Sequence, residues 1–132
     1  MALDVAKFLQ YIASGTAYTV GVTLIALPSG LVLGTLLALL NVYSGKVSKT
    51  LTNFYSTVMR GIPPIVLLFI LYFIVSGSIN LSPFLAGSIS LGIVSSAYQM
   101  EIVRRAILSV SGGQTMAARA VGMSKRQAIR NV

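Results

Sequence analysis

The chain contains no cysteine and no histidine in 132 residues, and only two acids, Asp4 and Glu101. Without thiols there is no disulfide framework and no thiol nucleophile. Without thiols and imidazoles the usual zinc sites are excluded. The two carboxylates form a pair for acid–base work only if they meet, which their expected depths argue against. No G-x-x-x-x-G-K-[ST] phosphate loop occurs, so ATP hydrolysis through that motif is not expected of this chain. The sequence thus predicts no catalytic residue, no metal site and no cofactor. Charge of either sign is scarce as well. Charged residues make up 9% of the chain, against about 25% in ordinary soluble domains. That deficit is too large for a water-facing surface, and 55% apolar residues with a mean hydropathy of +0.86 point to a membrane protein.

The net charge of +8 would suggest nucleic acid if read alone. The placement of the charges argues otherwise. None falls between Lys7 and Lys46, or between Arg60 and Glu101, and a span needs about 20 residues. Basic residues therefore flank apolar segments and form no patch for a nucleic acid.

Three spans are expected, at about 17–42, 62–79 and 83–100. The first, Ala17 to Val42, is 26 uncharged residues, about 39 Å of helix. It exceeds the ~30 Å hydrocarbon core, so tilt or interfacial ends are expected. Ala26, Gly30, Gly34 and Ala38 recur every fourth residue, which suits close helix approach, although glycine is also common in membrane helices generally. Pro28 beside them is a candidate kink. Before this span, Val5, Phe8, Leu9 and Ile12 fall at helical spacing, which fits either a short interfacial helix or a frayed terminus.

After a polar hinge at Tyr43 to Lys49, apolar residues recur with a helical period from Val47 to Met59. Arg60-Gly61-Ile62-Pro63-Pro64 breaks that helix, because two prolines remove two donors and bias the residues before them away from the α region. A densely apolar second span follows. Ser82 then caps and Pro83 takes the first position of a third helix. The third helix is rich in small and hydroxyl residues, with Ser88, Gly92 and Ser96 on one face. Such residues suit helix contact or a polar path. Glu101 closes this span, with Arg104 and Arg105 three and four residues on.

The tail, 111–132, is the one long polar segment. Thr115 to Val121 is compatible with helix, Gly122 stands where a helix would end left-handed, and Ser124 with Gln127 has capping-box spacing. With three spans, one side of the membrane holds a single basic residue, Lys7, and the other holds nine. The positive-inside rule places the N-terminus outside and the tail in the cytoplasm. The expected fold class is all-α: a polytopic membrane protein of about three transmembrane helices followed by a cytoplasmic helix–Gly–helix segment.

Three stretches resemble the permease subunits of binding-protein-dependent ABC importers, in their polar amino-acid uptake class. Gly15-Thr16-Ala17-Tyr18-Thr19 resembles a G-x-x-x-T entry to the first span. Met59-Arg60-Gly61-Ile62-Pro63 resembles R-G-T-P before an F-x-x-Y-F run, here Phe69 to Phe73. Ala97-Tyr98-Gln99-Met100-Glu101-Ile102-Val103-Arg104, Ser109-Val110 and Gly113 to Ser124 resemble A-Y-x-x-E-I-x-R-G … S-V-P-x-G-Q-x-E-A-A-R-A-L-G-M-S. The resemblance implies structural roles for Arg60, Gly61, Pro63, Glu101 and Arg104. It implies that the tail is a coupling element entering a cleft on a cytoplasmic ATPase subunit. Ala117, Ala118 and Gly122 match the coupling motif, and Gly113, Gln114 and Arg119 flank it. The implied partners are that ATPase, a second permease subunit, an extracytoplasmic solute-binding protein and the lipid bilayer. Tyr72, Ser88, Ser95, Ser96 and Tyr98 are candidates for the translocation path or for helix packing. Met116 replaces the motif's Glu, Ser111 its Pro, and Arg105 the Gly after Arg104; Gly112 stands where Lys or another polar residue is frequent. Because family members continue through further spans, a fragment or truncated product is also implied. The alternative is a small membrane anchor whose basic tail binds anionic lipid or a peripheral partner.

Overall fold

The computed structural model describes residues 5–75, 80–110 and 112–131. Helix α1 (Val5–Tyr43) contains 39 residues, about 58 Å at 1.5 Å per residue. The expected first span, 17–42, is its C-terminal two-thirds. Residues 5–16 are neither frayed nor a separate interfacial helix but continue α1. Nothing in them breaks a helix, and the Ser14 and Thr16 hydroxyls are satisfied within it. Ser14 Oγ donates to the Tyr11 carbonyl at 2.9 Å and Thr16 Oγ1 to that of Ile12 at 2.8 Å. The helix also runs through Pro28 without interruption.

The buried positions of α1 are Ala26, Gly30, Gly34, Ala38 and Asn41, so the four-residue strip of small side chains is its packing face. The partner is helix α4 (Pro83–Ser109), which makes by far the most extensive contact in the fold with α1. The two backbones approach until no side chain fits between them. A Cβ on Gly34 would lie 2.6 Å from the Ser96 carbonyl oxygen and 2.9 Å from the Met100 nitrogen, and one on Gly30 would lie 2.7 Å from the Ser95 side chain. In reciprocal fashion, a Cβ on Gly92 would lie 2.9 Å from Ser29 Oγ. Gly is therefore a steric requirement along this seam, and dispersion between backbones holds the pair.

Helix α2 (Lys46–Gly61) crosses both long helices, and α3 (Pro64–Phe69) follows it. The break between them is the proline pair. Ile62 is extended (φ −89°, ψ 125°), Pro63 likewise occupies a non-helical conformation (φ −56°, ψ 134°), and Pro64 opens α3. From Ile70 to Val75 the chain continues as a π-helix, where a regular α-helical span to 79 was expected. Only Leu67 of α3 is buried, and no residue of the π segment is, so few contacts hold this arm in tight α geometry. Its rings pack on one another instead, Tyr72 against Phe73 at 5.0 Å and Phe73 against Phe69 at 5.8 Å. Residues 76–79, the expected end of this span, lie outside the described residues.

Asn80 adopts a left-handed conformation (φ 49°), which short amide side chains tolerate. Ser82 then caps α4, its hydroxyl accepting from Leu85 N at 3.3 Å, and Pro83 takes the first turn, as the sequence predicts. The helix continues nine residues past Met100 to Ser109. Two short helices, α5 (Gly112–Ala120) and α6 (Lys125–Asn131), complete the chain.

By length and apolarity α1 can cross a membrane alone, and α2 with the arm Pro64–Val75 qualifies only as one broken span bent by 98°. Helix α4 is long enough, but serines and glycines dilute its apolarity. Its hydroxyls and glycines face the bundle: Ser88, Ser90, Gly92 and Ser96 are all buried, whereas α1 turns Leu24, Val32 and Leu36 outward. Small and polar inside, branched and apolar outside is the pattern a lipid solvent selects.

The glycine seam is testable. We expect Gly34→Leu to destabilise the α1–α4 pair by roughly 1–3 kcal/mol through overpacking, read as lowered thermal stability in detergent or bilayer. Gly15→Ala meets open space within 4 Å and should stabilise α1 by about 0.5–1 kcal/mol.

Candidate functional site: a fixed helix–turn–helix and a polar helix seam

The tail folds as the sequence predicts, and its turn is fixed from both sides. At the end of α5, Met123 N donates to the Ala118 carbonyl at 3.1 Å and Gly122 N to that of Arg119 at 3.0 Å. This pair of bonds is the Schellman motif, and Gly122 takes the left-handed conformation it needs (φ +88°). At the start of α6, Ser124 N donates to Gln127 Oε1 at 2.8 Å while Gln127 N donates to Ser124 Oγ at 3.3 Å. That is a complete capping box. Only four residues separate α5 from α6, and the backbone hydrogen bonds of the reversal are largely met internally.

The residues implied in coupling do not all share one surface. Ala118 is buried, as is Ala128 of α6, and the two helices pack on each other. Gly113, Gln114, Ala117, Arg119 and Gly122 are exposed. Beside them stand Met116, 73% exposed, and Val121, 76% exposed. Apolar side chains are thus presented outward by a reversal whose own interior contains alanine.

The translocation candidates also divide. Ser88 and Ser96 are buried and spent inside the bundle. Ser88 Oγ donates to the Phe84 carbonyl at 2.8 Å, and Ser96 Oγ lies 2.7 Å from the Ile93 carbonyl and 2.6 Å from the Tyr55 hydroxyl. Ser95 and Tyr98 line a groove of about 280 Å³ with Thr23, Ala26 and Leu27. Tyr72 meets Phe73 edge-to-face in the π segment. The structure brings Ser95 and Tyr98 together; it does not unite all five.

Of the motif residues, Arg60 donates from Nε to the Ser56 carbonyl at 3.1 Å, one turn back on α2. Gly61 ends α2, and Pro63 lies in the break before α3. Glu101 lies just past the expected span 83–100 and receives both arginines, with Arg104 Nη2 and Arg105 Nε each 2.9 Å from Oε1. Hydrogen bonding from Arg104, reinforced by Arg105, outweighs burial and lowers the Glu101 carboxyl from 4.5 to about 2.

A cluster that the residue-by-residue reading missed joins α2 to its neighbours. Buried Asn41 donates from Nδ2 to Thr52 Oγ1 at 2.8 Å and to Asn53 Oδ1 at 2.7 Å. Ser56 Oγ donates to the Ala97 carbonyl at 3.3 Å, and Tyr55 reaches Ile93 and Ser96. A signal was present: Ser48, Thr52 and Ser56 repeat every four residues on α2.

The helical membrane bundle, with its small-residue seam and fixed polar reversal, has the fold of an ABC-transporter permease, and a solved structure agrees. The chain is 33% identical to one in a crystal structure of an amino acid ABC transporter with histidines, with a TM-score of 0.71, covering 98% of this chain and 63% of that one. Residues 30–132 match the family described as binding-protein-dependent transport system inner membrane component, and the chain belongs to that family. It is 39% identical over 117 residues to a Rickettsia prowazekii protein that carries the name glutamine transport system permease protein, covering 87% of this chain and 54% of that protein. It is 32% identical over 130 residues to the octopine transport system permease protein of Rhizobium radiobacter, covering 89% and 55%. The chain therefore spans about half the length of the curated relatives it matches.

Two outcomes follow. Gly122→Val places a β-branched residue at positive φ and should cost about 1–2 kcal/mol, seen as faster hydrogen exchange at the Gly122 and Met123 amides. Because the Glu101 carboxyl is depressed in the fold, its contribution is fully present above pH 4.5 and fades as pH falls toward about 2. Glu101→Gln should remove that acid-side slope from the unfolding profile of the bundle.

Proposed function

We propose that this chain is a membrane-spanning permease subunit of an ATP-driven importer for polar amino acids. In this reading its N-terminus lies outside and 111–132 in the cytoplasm, where the reversal enters a cleft on a separate ATPase chain. A second permease subunit completes the pathway, and an extracytoplasmic binding protein delivers the solute. ATP hydrolysis belongs to the ATPase, so this subunit is not itself an enzyme.

The observation that carries the reading is the reversal Gly112–Asn131, which lies within the family-matched residues and is locked by both a Schellman motif and a capping box. A device that transmits motion must not absorb it, and a turn with its hydrogen bonds made internally deforms little. Its division of labour suits docking: Ala118 holds the two helices together, while Ala117, Arg119, Met116 and Val121 meet the partner. Gly113 and Gln114 form the entry to α5. With Met116 where the motif has Glu, apolar contact replaces a charged one at that point. Ser95 and Tyr98 are the path candidates with access to a groove, whereas Ser88 and Ser96 serve packing and Tyr72 lies on the arm. Relatives named for glutamine and octopine transport support the polar amino-acid class.

The test uses the importer assembled around this chain in proteoliposomes. Ala117→Glu should lower solute uptake at least tenfold while the subunit still inserts and folds, because a carboxylate would have to be desolvated in the cleft. Uptake that is unchanged by both Ala117→Glu and Gly122→Val overturns the docking assignment. Retention of the ATPase at high salt supports apolar docking, whereas its release as salt rises would indicate a basic tail acting by charge alone.

A further inference from the structure

A wide groove lies at the corner between α1 and α2, where the chain passes from the charge-free end of α1 to a cationic helix. Its volume is about 600 Å³, with Leu40, Val47 and Leu51 as walls, Gly45 in its lining and Lys46 at its rim. Nothing in the protein would meet a side chain at Gly45 within 4 Å, so the cleft is open there. Val47 and Leu51 are exposed, as is Tyr43, the last residue of α1 and two residues before Gly45. One turn from Lys46, the side chain of Lys49 is exposed on the same flank. Among the described residues neither lysine has a carboxylate partner. The described acid, Glu101, is engaged by Arg104 and Arg105.

We propose that this corner is a binding site for an anionic phospholipid, with an acyl chain in the Leu40–Val47–Leu51 groove and the headgroup phosphate on Lys46 and Lys49. The chemistry is two-part and fits the place. An exposed apolar cleft beside a long apolar helix suits an acyl chain, and its rim offers the Lys46 ammonium, with that of Lys49 one turn along α2, where headgroups would begin. Tyr43 is the kind of amphipathic ring that settles at that depth. A zwitterionic lipid would fill the cleft equally well but would bring a cation of its own to the lysines, so selectivity comes from charge. The groove lies apart from the Gly112–Asn131 reversal and from the Ser95–Tyr98 groove, so lipid binding depends on neither coupling nor transport.

The chain has no tryptophan, so Tyr43→Trp provides a single fluorescent reporter two residues before Gly45 of the groove. The full chain carrying it is reconstituted in phosphatidylcholine vesicles that contain either dibrominated phosphatidylglycerol or dibrominated phosphatidylcholine at the same mole fraction. The expected result is stronger quenching by the glycerol lipid, a preference of about fivefold or more for each engaged lysine. It should weaken at high salt. The double variant K46Q and K49Q should bring the preference close to unity, and the tail variant K125Q and R126Q should leave it unchanged. Equal quenching by the two lipids, or a preference that survives K46Q and K49Q, overturns the proposal. So does a preference lost in the tail variant. Absence of quenching by either lipid also overturns it, because protein rather than lipid would then cover the groove. No ATPase or solute is present in these vesicles, so the outcome stands apart from the transport reading.

Discussion

The contact on which the bundle depends is the approach of two backbones. Helices α1 and α4 meet so closely that the Gly34 Cα faces the Ser96 carbonyl with no room for a methyl group. In water this arrangement would be a poor use of helix surface, because glycine buries little apolar area. In lipid there is no gain from burying leucine against leucine rather than against acyl chains, so close packing decides instead. The distribution of residues follows. Leucines and valines of α1 go outward, and Ala26, Gly30, Gly34 and Ala38 go inward. Helix α4, whose serines satisfy themselves on their own carbonyls, can then be central without leaving polar groups stranded.

Helix α2 is attached on different terms. Its buried residues are Thr52 and Ser56, and its links to the long helices are hydrogen bonds from Asn41, Tyr55 and Ser56. Interhelical hydrogen bonds in a membrane average below about 1 kcal/mol each, so the joint is directional more than strong. The proline break at its far end then turns the chain by 98° into the apolar arm. A tightly interlocked pair, a polar joint and a lightly packed arm give the bundle a graded stiffness, and the reversal Gly112–Asn131, whose helices pack on each other, follows α4 along the chain.

Much of this was legible in the residues. Ser82-Pro83 starts α4, Gly61 to Pro64 breaks α2 from α3, Gly122 turns left-handed, and Ser124 pairs with Gln127. Each is a local signal whose cause lies within four residues. The small-residue strip on α1 was legible for the same reason, because a period of four needs no knowledge of the partner. What escaped depends on the partner. Whether Ser88 and Ser96 line a path or pack against a helix turns on what lies opposite, and Ser96 meets Tyr55, 41 residues away. Asn41 was hidden because a single amide at the end of an apolar run looks like an interface residue until α2 folds back onto it. The π segment has no clear residue signature, since apolar and aromatic residues propagate either helix geometry. The continuation of α1 back to Val5 was obscured by Lys7, which interrupts the apolar pattern without interrupting the helix.

The glycine seam also bears on how such a chain can change over time. Each residue of an α-helix turns by about 100°. One residue gained or lost between Ala26 and Ala38 would swing the small strip out of contact and drive a leucine or valine into the Ser96 backbone. Toward the N-terminus, from Val5 to Ala17, every residue of α1 is exposed, and length can drift there without disturbing the α1–α4 seam. The same continuous helix thus has a portion whose length is counted in whole turns and a portion whose length is free, and the boundary falls where Tyr18 meets Phe84 edge-on.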